Sequence, residues 1–315
     1  GIPTCFFINK DLFDEEGIPY PPTDWEDETW TWDTMLEYAQ ALTKDTDGDG
    51  QTDQYGVVLG NINYNQFPML WGADIFPDEA FQYGITREHH FDDPEVIKAL
   101  QLGADLVWKE QVSPYPEMSQ ALSGLGPGGW FGTFLSGKIA MFGNLAAYNQ
   151  PAEAKFNWSV AAFPRGGPSI QQRSMTWTGP FLLSKGCAHP DEGWELIKFL
   201  CDVEGQQIIA PGATVGTSRK SLLEWWLGQF GAPLEEVKAV HEGGYKHGTE
   251  SPNVRTVSWR RIADLLSAEF DPLWLGEKSA EECSQSVSPQ LDALLNEIYG
   301  AYEYKAKTLF LDFPS

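Results

Sequence analysis

Short apolar runs of strand length alternate along this chain with longer runs of helical period. That alternation limits it to layered α/β architectures more than any other feature does. Residues 4–9, 54–59, 138–142, 160–163 and 181–184 read as strands. Between and after them lie helical patterns. Thr31 caps the first, with Trp32, Met35, Leu36, Ala39 and Leu42 at helical spacing. Asp93 and Pro94 open a second, whose buried face is predicted to carry Val96, Ile97, Leu100, Ala104 and Val107. A third runs from 190 to about 200. A fourth is predicted to start at Ser288-Pro289, with Leu291, Leu294, Leu295 and Ile298 on one face. Strands alternating with helices predict a largely parallel sheet.

Between the first helix and the strand at 54–59 lies Asp45-Thr46-Asp47-Gly48-Asp49-Gly50-Gln51-Thr52-Asp53. Aspartates at every second position, with glycine at the sixth, match the core of a calcium loop. A hard cation takes six to eight oxygens, and the alternation aims successive carboxylates at one point. The expected ligands are Asp45, Asp47, Asp49, the backbone carbonyl of Gln51, and Asp53. The twelfth position of such a loop is normally a bidentate Glu. Here it is Gly56, so the reading is a structural Ca²⁺ staple and not a sensor.

Net charge is −24, with 21 basic against 45 acidic residues, which argues against a nucleic-acid or anionic-membrane partner. No apolar run approaches the length of a membrane span. No signal-peptide pattern opens the chain, and Gly1 begins mid-pattern, as expected of a mature chain. Cys5, Cys187, Cys201 and Cys283 form no C-x-x-C pair and are expected as buried free thiols. The five histidines lack metal-ligand spacing and are expected at the surface. Gly124-Leu-Gly-Pro-Gly-Gly129 matches G-x-G-x-x-G, but no strand precedes it and Pro127 removes a needed N–H. Gly132 to Lys138 resembles a phosphate loop, but Ile139 stands where the Mg²⁺-binding Ser/Thr belongs. Thirteen Trp and eleven Tyr are many for 315 residues, and such flat amphipathic rings stack on sugars as well as filling cores. Trp32, Trp108, Trp194, Trp225 and Trp226 lie on helical stripes and are expected in the core.

Several blocks in order carry a family likeness. They are Phe7-Ile-Asn-Lys-Asp-Leu-Phe13, Gly17-Ile-Pro-Tyr-Pro-Pro22, Trp30-Thr-Trp-Asp33 and Leu42-Thr-Lys-Asp-Thr-Asp-Gly-Asp-Gly50, then Asp53-Gln-Tyr-Gly56. Phe134-Leu-Ser-Gly-Lys-Ile-Ala-Met141, Leu183-Ser-Lys-Gly186, His189 to Leu200, Glu204-Gly-Gln206 and Ser218-Arg-Lys-Ser221 follow. Together they resemble the extracellular solute-binding proteins of ABC importers, the group that includes sugar and oligosaccharide binders. The resemblance implies a periplasmic-binding-protein-like α/β fold of two lobes that close on a ligand by hinge motion. It implies a crossover segment at 1–11 and a main (second) lobe from 12–177 with about 231–305. Residues 178–230 then return to the first lobe, and 306–315 form a tail. Family members carry further strands and helices before the position where this chain starts, so the first lobe is expected to be incomplete. A second departure is Gly216-Thr217, where the family usually has a Pro before Ser218-Arg219.

By position within the resemblance, the ligand contacts are Tyr64, Trp71, Tyr148 and Trp259, with Asn65, Asn144 and Trp177 supplying edge groups. A sugar needs a flat ring below it and amide or charged groups at its rim. The implied function is extracytoplasmic capture of a small solute, a sugar or oligosaccharide, for delivery to ABC permease subunits. No enzymatic activity is expected, and the chain is expected to act as a monomer in the periplasm or lipid-anchored at the cell surface. The alternative is a carbohydrate-active enzyme, a glycoside hydrolase with a carboxylate pair drawn from Asp74, Asp78, Glu79 and Glu117. Nothing in their spacing singles out a pair.

Overall fold

The computed structural model describes residues 2–60, 66–125, 131–166, 172–177, 179–212, 216–251 and 256–308, the side chains of Glu79 and of 304–308 excepted. In chain order the elements begin with β1 (Thr4–Asn9), α1 (Lys10–Glu16), α2 (Trp32–Leu42), β2 (Tyr55–Leu59), α3 (Phe67–Leu70) and α4 (Asp78–Tyr83). Then come α5 (Pro94–Trp108), α6 (Pro116–Ser123), α7 (Gly132–Leu135), β3 (Ile139–Leu145), β4 (Trp158–Ala161) and β5 (Ser174–Thr176). The remainder is mostly helical: α8 (Pro190–Cys201), α9 (Val203–Ile209), α10 (Leu223–Leu227), α11 (Leu234–Lys246), β6 (Gly248–Glu250), α12 (Trp259–Trp274) and α13 (Ala280–Thr308).

The main sheet has the order β2-β3-β1-β4. β2 and β3 are parallel, whereas β1 runs antiparallel to both its neighbours, pairing Phe7 with Phe142 and with Val160. The expected largely parallel sheet is therefore corrected to a mixed one. The six residues of β1 are all buried, as a run apolar on both faces of a strand requires. So the segment expected as a crossover is a central strand of the sheet. β5 and β6 form a separate parallel pair, tied to β1 by Ser174, whose Oγ accepts from the Thr4 N–H at 3.0 Å.

Local signals set several boundaries. The Thr31 hydroxyl accepts from the Thr34 N–H at 3.3 Å, and Asp93 Oδ1 accepts from the Glu95 N–H at 2.8 Å. β3 runs three residues beyond its predicted end, and β4 lies two residues earlier than expected. The last helix does not begin at Ser288-Pro289. It starts at Ala280, where Ser279 and Glu282 form a reciprocal capping box, and Pro289 lies inside it. Two apolar clusters result. One surrounds the main sheet, and the other packs α5 against α12 and α13 through residues such as Leu100, Leu266, Phe270 and Leu291.

The stretch 179–204 behaves differently, with no buried residue. Residues 181–184 form no strand, and Leu182 is 83% exposed. α8 has no buried residue, although Trp194, Leu196 and Phe199 are large and apolar. Trp32 and Trp226 lie in the core as expected, but Trp108, Trp194 and Trp225 are exposed. All four cysteines are unpaired; Cys5 and Cys283 are buried, and Cys187 and Cys201 are half-buried. No helix among the described residues is long and apolar enough to cross a membrane.

Candidate functional site

In an open α/β sheet, ligands bind beyond the carboxyl ends of the parallel strands. Here those ends are Leu59 of β2 and Leu145 of β3. The Gly60 N–H donates to the Gly143 carbonyl at 2.8 Å. A Cβ at Gly60 would lie 2.5 Å from Asn144 Nδ2 and 2.7 Å from the Phe142 ring, so a larger residue there would displace one or both side chains. Asn144 is fully buried. Its Oδ1 accepts from the Leu145 N–H at 2.7 Å, and its Nδ2 has no hydrogen-bond partner among the described residues. Tyr64 and Asn65, expected at this end, lie outside the described residues.

The other expected contacts do not converge on one surface. Trp71 is almost fully buried, edge-on to Trp32 with centroids 4.9 Å apart. The Gly166 backbone lies close against its ring, and its Nε1 has no partner among the described residues. Tyr148 is fully buried and packs against Phe7, Trp226 and Phe230. Its hydroxyl lies 3.3 Å from His241 Nδ1. Burial holds the His241 imidazole down to about 3 and pushes the Tyr148 phenol well up. The contact therefore joins two neutral groups, and the imidazole tautomer sets which of them donates. Tyr148 presents no face to an open cleft in this structure, because α10 and α11 close an aromatic cluster over it. His241 likewise overturns the expectation of surface histidines. Trp177 follows β5 directly, is half-buried and exchanges backbone hydrogen bonds with Ile2 at 3.1 Å each. Trp259 is half-buried at the start of α12, against the helical cluster.

The residues that do gather around open space are not among the ligand contacts expected from the resemblance, and only Asp74 and Asp78 were singled out in the sequence, as candidate carboxylates. A cavity of about 600 Å³ lies between α4, the segment entering β5, and the α11–β6 junction. Arg173 Nη1 donates to Asp74 Oδ1 at 2.7 Å, both side chains being about a third exposed. Gln172 is buried; its amide nitrogen donates to the Phe163 carbonyl, and its Oε1 has no partner among the described residues. His247 stacks on Trp25 with centroids 5.9 Å apart and lies 3.0 Å from Glu26 through Nε2. Its Nδ1 is buried with no partner among the described residues. Phe81, Thr249 and Glu250 complete the wall. Lys246 pairs with Glu26 and holds that carboxyl below its usual range. Donors and acceptors of both charge signs thus border one apolar ring. That is a wall suited to a hydroxyl-rich solute, which offers O–H groups as both donors and acceptors. No local sequence signal marks Arg173, because its half-buried place beside Asp74 is set by the fold. Of the carboxylates weighed for a hydrolase, Asp74 is tied to Arg173 and Asp78 lines the same cavity.

At the 45–53 loop, the carboxylates of Asp45, Asp47 and Asp49 lie within 4.8 Å of one another. Gly48 and Gly50 have φ of 79° and 87°, the left-handed turns this path demands. Hydrogen bonds from the Gly50 N–H first, and then from neighbouring N–H groups, hold the Asp45 carboxyl below its ordinary range. Asp53 faces elsewhere: it accepts from the Thr46 hydroxyl at 2.6 Å and lies 3.6 Å from Lys138 Nζ. The Gln51 side chain donates to Asp49 at 3.1 Å.

Residues 1–207 match the model of a family described as bacterial extracellular solute-binding protein. The chain belongs to that family. No curated protein sequence matches it. Among solved structures, similar chains include an ABC substrate-binding protein from Listeria monocytogenes in complex with cycloalternan (TM-score 0.71, 20% identity, 95% of this chain and 70% of that one). The maltose/maltodextrin-binding domain from Bdellovibrio bacteriovorus bound to maltotriose has a TM-score of 0.69 at 16% identity, over 93% of this chain and 70% of that one. A cyclic α-maltosyl-1,6-maltose binding protein from Arthrobacter globiformis has a TM-score of 0.64 at 17% identity, over 94% and 71%. At these identities the likeness is one of fold. The solute-binding protein has the two-lobe α/β architecture and spans about 70% of the length of each of these relatives. The family is one of binding proteins, described as extracellular.

Proposed function

We propose that this chain captures a sugar or oligosaccharide outside the cytoplasm, in the periplasm or lipid-anchored at the cell surface, and delivers it as a monomer to the permease of an ABC importer. The observation that carries this reading is the cavity bordered by the Asp74–Arg173 pair, Gln172, His247 and Phe81. A saccharide hydroxyl accepts from the guanidinium and the imidazole and donates to the carboxylates and the amide oxygen. The resemblance to structures bound to maltotriose and cycloalternan supports the same ligand class. Trp71, Asn144 and Trp177 do not line that cavity and stand as ligand contacts on the family pattern alone, Trp71 and Asn144 each carrying an unpartnered polar atom among the described residues. Tyr64 and Trp259 are retained by their place in the family pattern, and enclosed Tyr148 is not. The test is a thermal-shift panel of neutral mono- and oligosaccharides against a salt and amino-acid control set. A ligand bound only by the folded state raises the melting temperature by mass action. At least one saccharide is expected to do so; no shift across the saccharides would overturn the assignment.

We also propose that Asp45, Asp47 and Asp49 bind a structural Ca²⁺, with the Gln51 carbonyl and Asp53 as further ligands once the loop closes. Three convergent carboxylates support it. Chelator is expected to lower the melting temperature, and added Ca²⁺ to restore it; a melting curve indifferent to both would remove the staple.

A further inference from the structure

The geometry points to a second binding site, for a neutral polyhydroxylated ligand, at Trp108 and Tyr115. A cavity of about 310 Å³ lies at the amino end of β2, between the 45–53 loop, the end of α5 and the start of α6. It is at the opposite pole of the sheet from the carboxyl ends of β2 and β3. Its size is at the lower end of small-molecule sites, which run roughly 300–1,000 Å³.

The two rings are exposed yet held. Trp108 is 44% exposed, but its Nε1 donates to the Trp274 carbonyl at 3.1 Å, so the indole has a fixed orientation and no unmet donor. Gly276, with φ of 72°, lies against the indole: a Cβ there would be 2.8 Å from ring atoms Cδ2 and Cε2. Backbone thus supports the ring from one side. Tyr115, 43% exposed, stands at the N-terminal boundary of α6 and lines the same cavity. Gln111 has φ of 56°, a left-handed conformation that a non-glycine residue adopts only where the surroundings impose it. Here they do: the next two N–H groups, of Val112 and Ser113, both bond the Leu106 carbonyl, at 2.9 and 3.1 Å. The turn sets the Gln111 side chain at the cavity wall.

The remaining polar wall is Gln51, Thr52, Tyr55 and Ser113, and among the described residues no charged side chain lines the cavity. That is unusual on a chain with 45 acidic and 21 basic residues. Without a charged group in its wall, the site has no side chain to pair directly with a phosphate, carboxylate or cationic ligand. A wholly apolar ligand would leave the Gln51 and Gln111 amides unpaired. Two flat rings with neutral amides and hydroxyls at their edges suit a pyranose, whose C–H face stacks while its hydroxyls bond outward. This inference does not rest on the Arg173 cavity.

The test follows the Trp108 resonance in ¹⁹F NMR of the 5-fluorotryptophan-labelled protein, identified as the signal missing in Trp108→Phe. The probes are maltose and cellobiose. One of them is expected to shift that signal saturably. Tyr115→Ala and Gln111→Gly, the latter matched to the left-handed backbone, should each weaken the effect about tenfold, as truncation of an anchoring contact does. Arg173→Ala should leave it unchanged. A Trp108 signal that neither probe moves, or a shift that survives both variants at full affinity, would overturn the proposal.

Discussion

His241 is 2% exposed, enclosed by Tyr148, Trp226 and Tyr245. Desolvation holds its folded pKa at about 3, against an unfolded value near 6.5. Between those two values the unfolded chain binds a proton that the folded chain does not. The stabilising effect of keeping the imidazole neutral is therefore complete above about pH 6.5 and is lost as pH falls, by about 1.4 kcal/mol per pH unit. Urea unfolding at pH 7, 5.5 and 4 is expected to show a steeper fall for the native sequence than for His241→Gln. Equal slopes would mean that the imidazole is solvated. This residue was not legible in the sequence, because spacing along a helix does not reveal what another element places over it. Thr31 and Asp93 were legible, since a cap is set within four residues. Ser279 and Glu282 carry the same signal but were passed over in favour of the Ser288-Pro289 pair.

At the scale of elements, α8 reads from its sequence as an ordinary amphipathic helix, and as a helix it forms. Its apolar side has no covering layer among the described residues, and Leu196 is 56% exposed. The exposed stretch 181–184 is the same situation for a strand: an apolar run needs a sheet neighbour to pair with, and sequence period cannot supply one. Leu196→Ala is expected to change stability by less than about 0.5 kcal/mol, as at other exposed sites. Leu295→Ala, in α13 and 1% exposed, is expected to cost about 2–5 kcal/mol. The uncovered face should also bind a hydrophobic dye, and Leu182→Glu should reduce that signal; equal costs for the two alanine variants, or no dye binding, would contradict the uncovered layer. The antiparallel direction of β1 was illegible for a related reason, since strand direction is set by long connections and not by local pattern.

For the molecule as a whole, the family and the two-lobe α/β fold were legible because many weak blocks fall in a fixed order. The site was legible only in part. Aromatics near the family's ligand positions divide between enclosed rings such as Tyr148 and half-buried ones such as Trp177, and burial is decided by elements far away in sequence. The polar cavity depends on Asp74 meeting Arg173 across 99 residues, which no window of sequence displays. The most direct test of saccharide capture is calorimetric titration of maltotriose and smaller neutral sugars, with Tyr115→Ala as the parent so that the second cavity is weakened. At least one sugar is predicted to give saturable heat, and Arg173→Ala to weaken it about tenfold or more, as loss of one partner of a hydrogen-bonded charge pair does. No saturable heat from any sugar, or the same affinity without the guanidinium, would contradict the account.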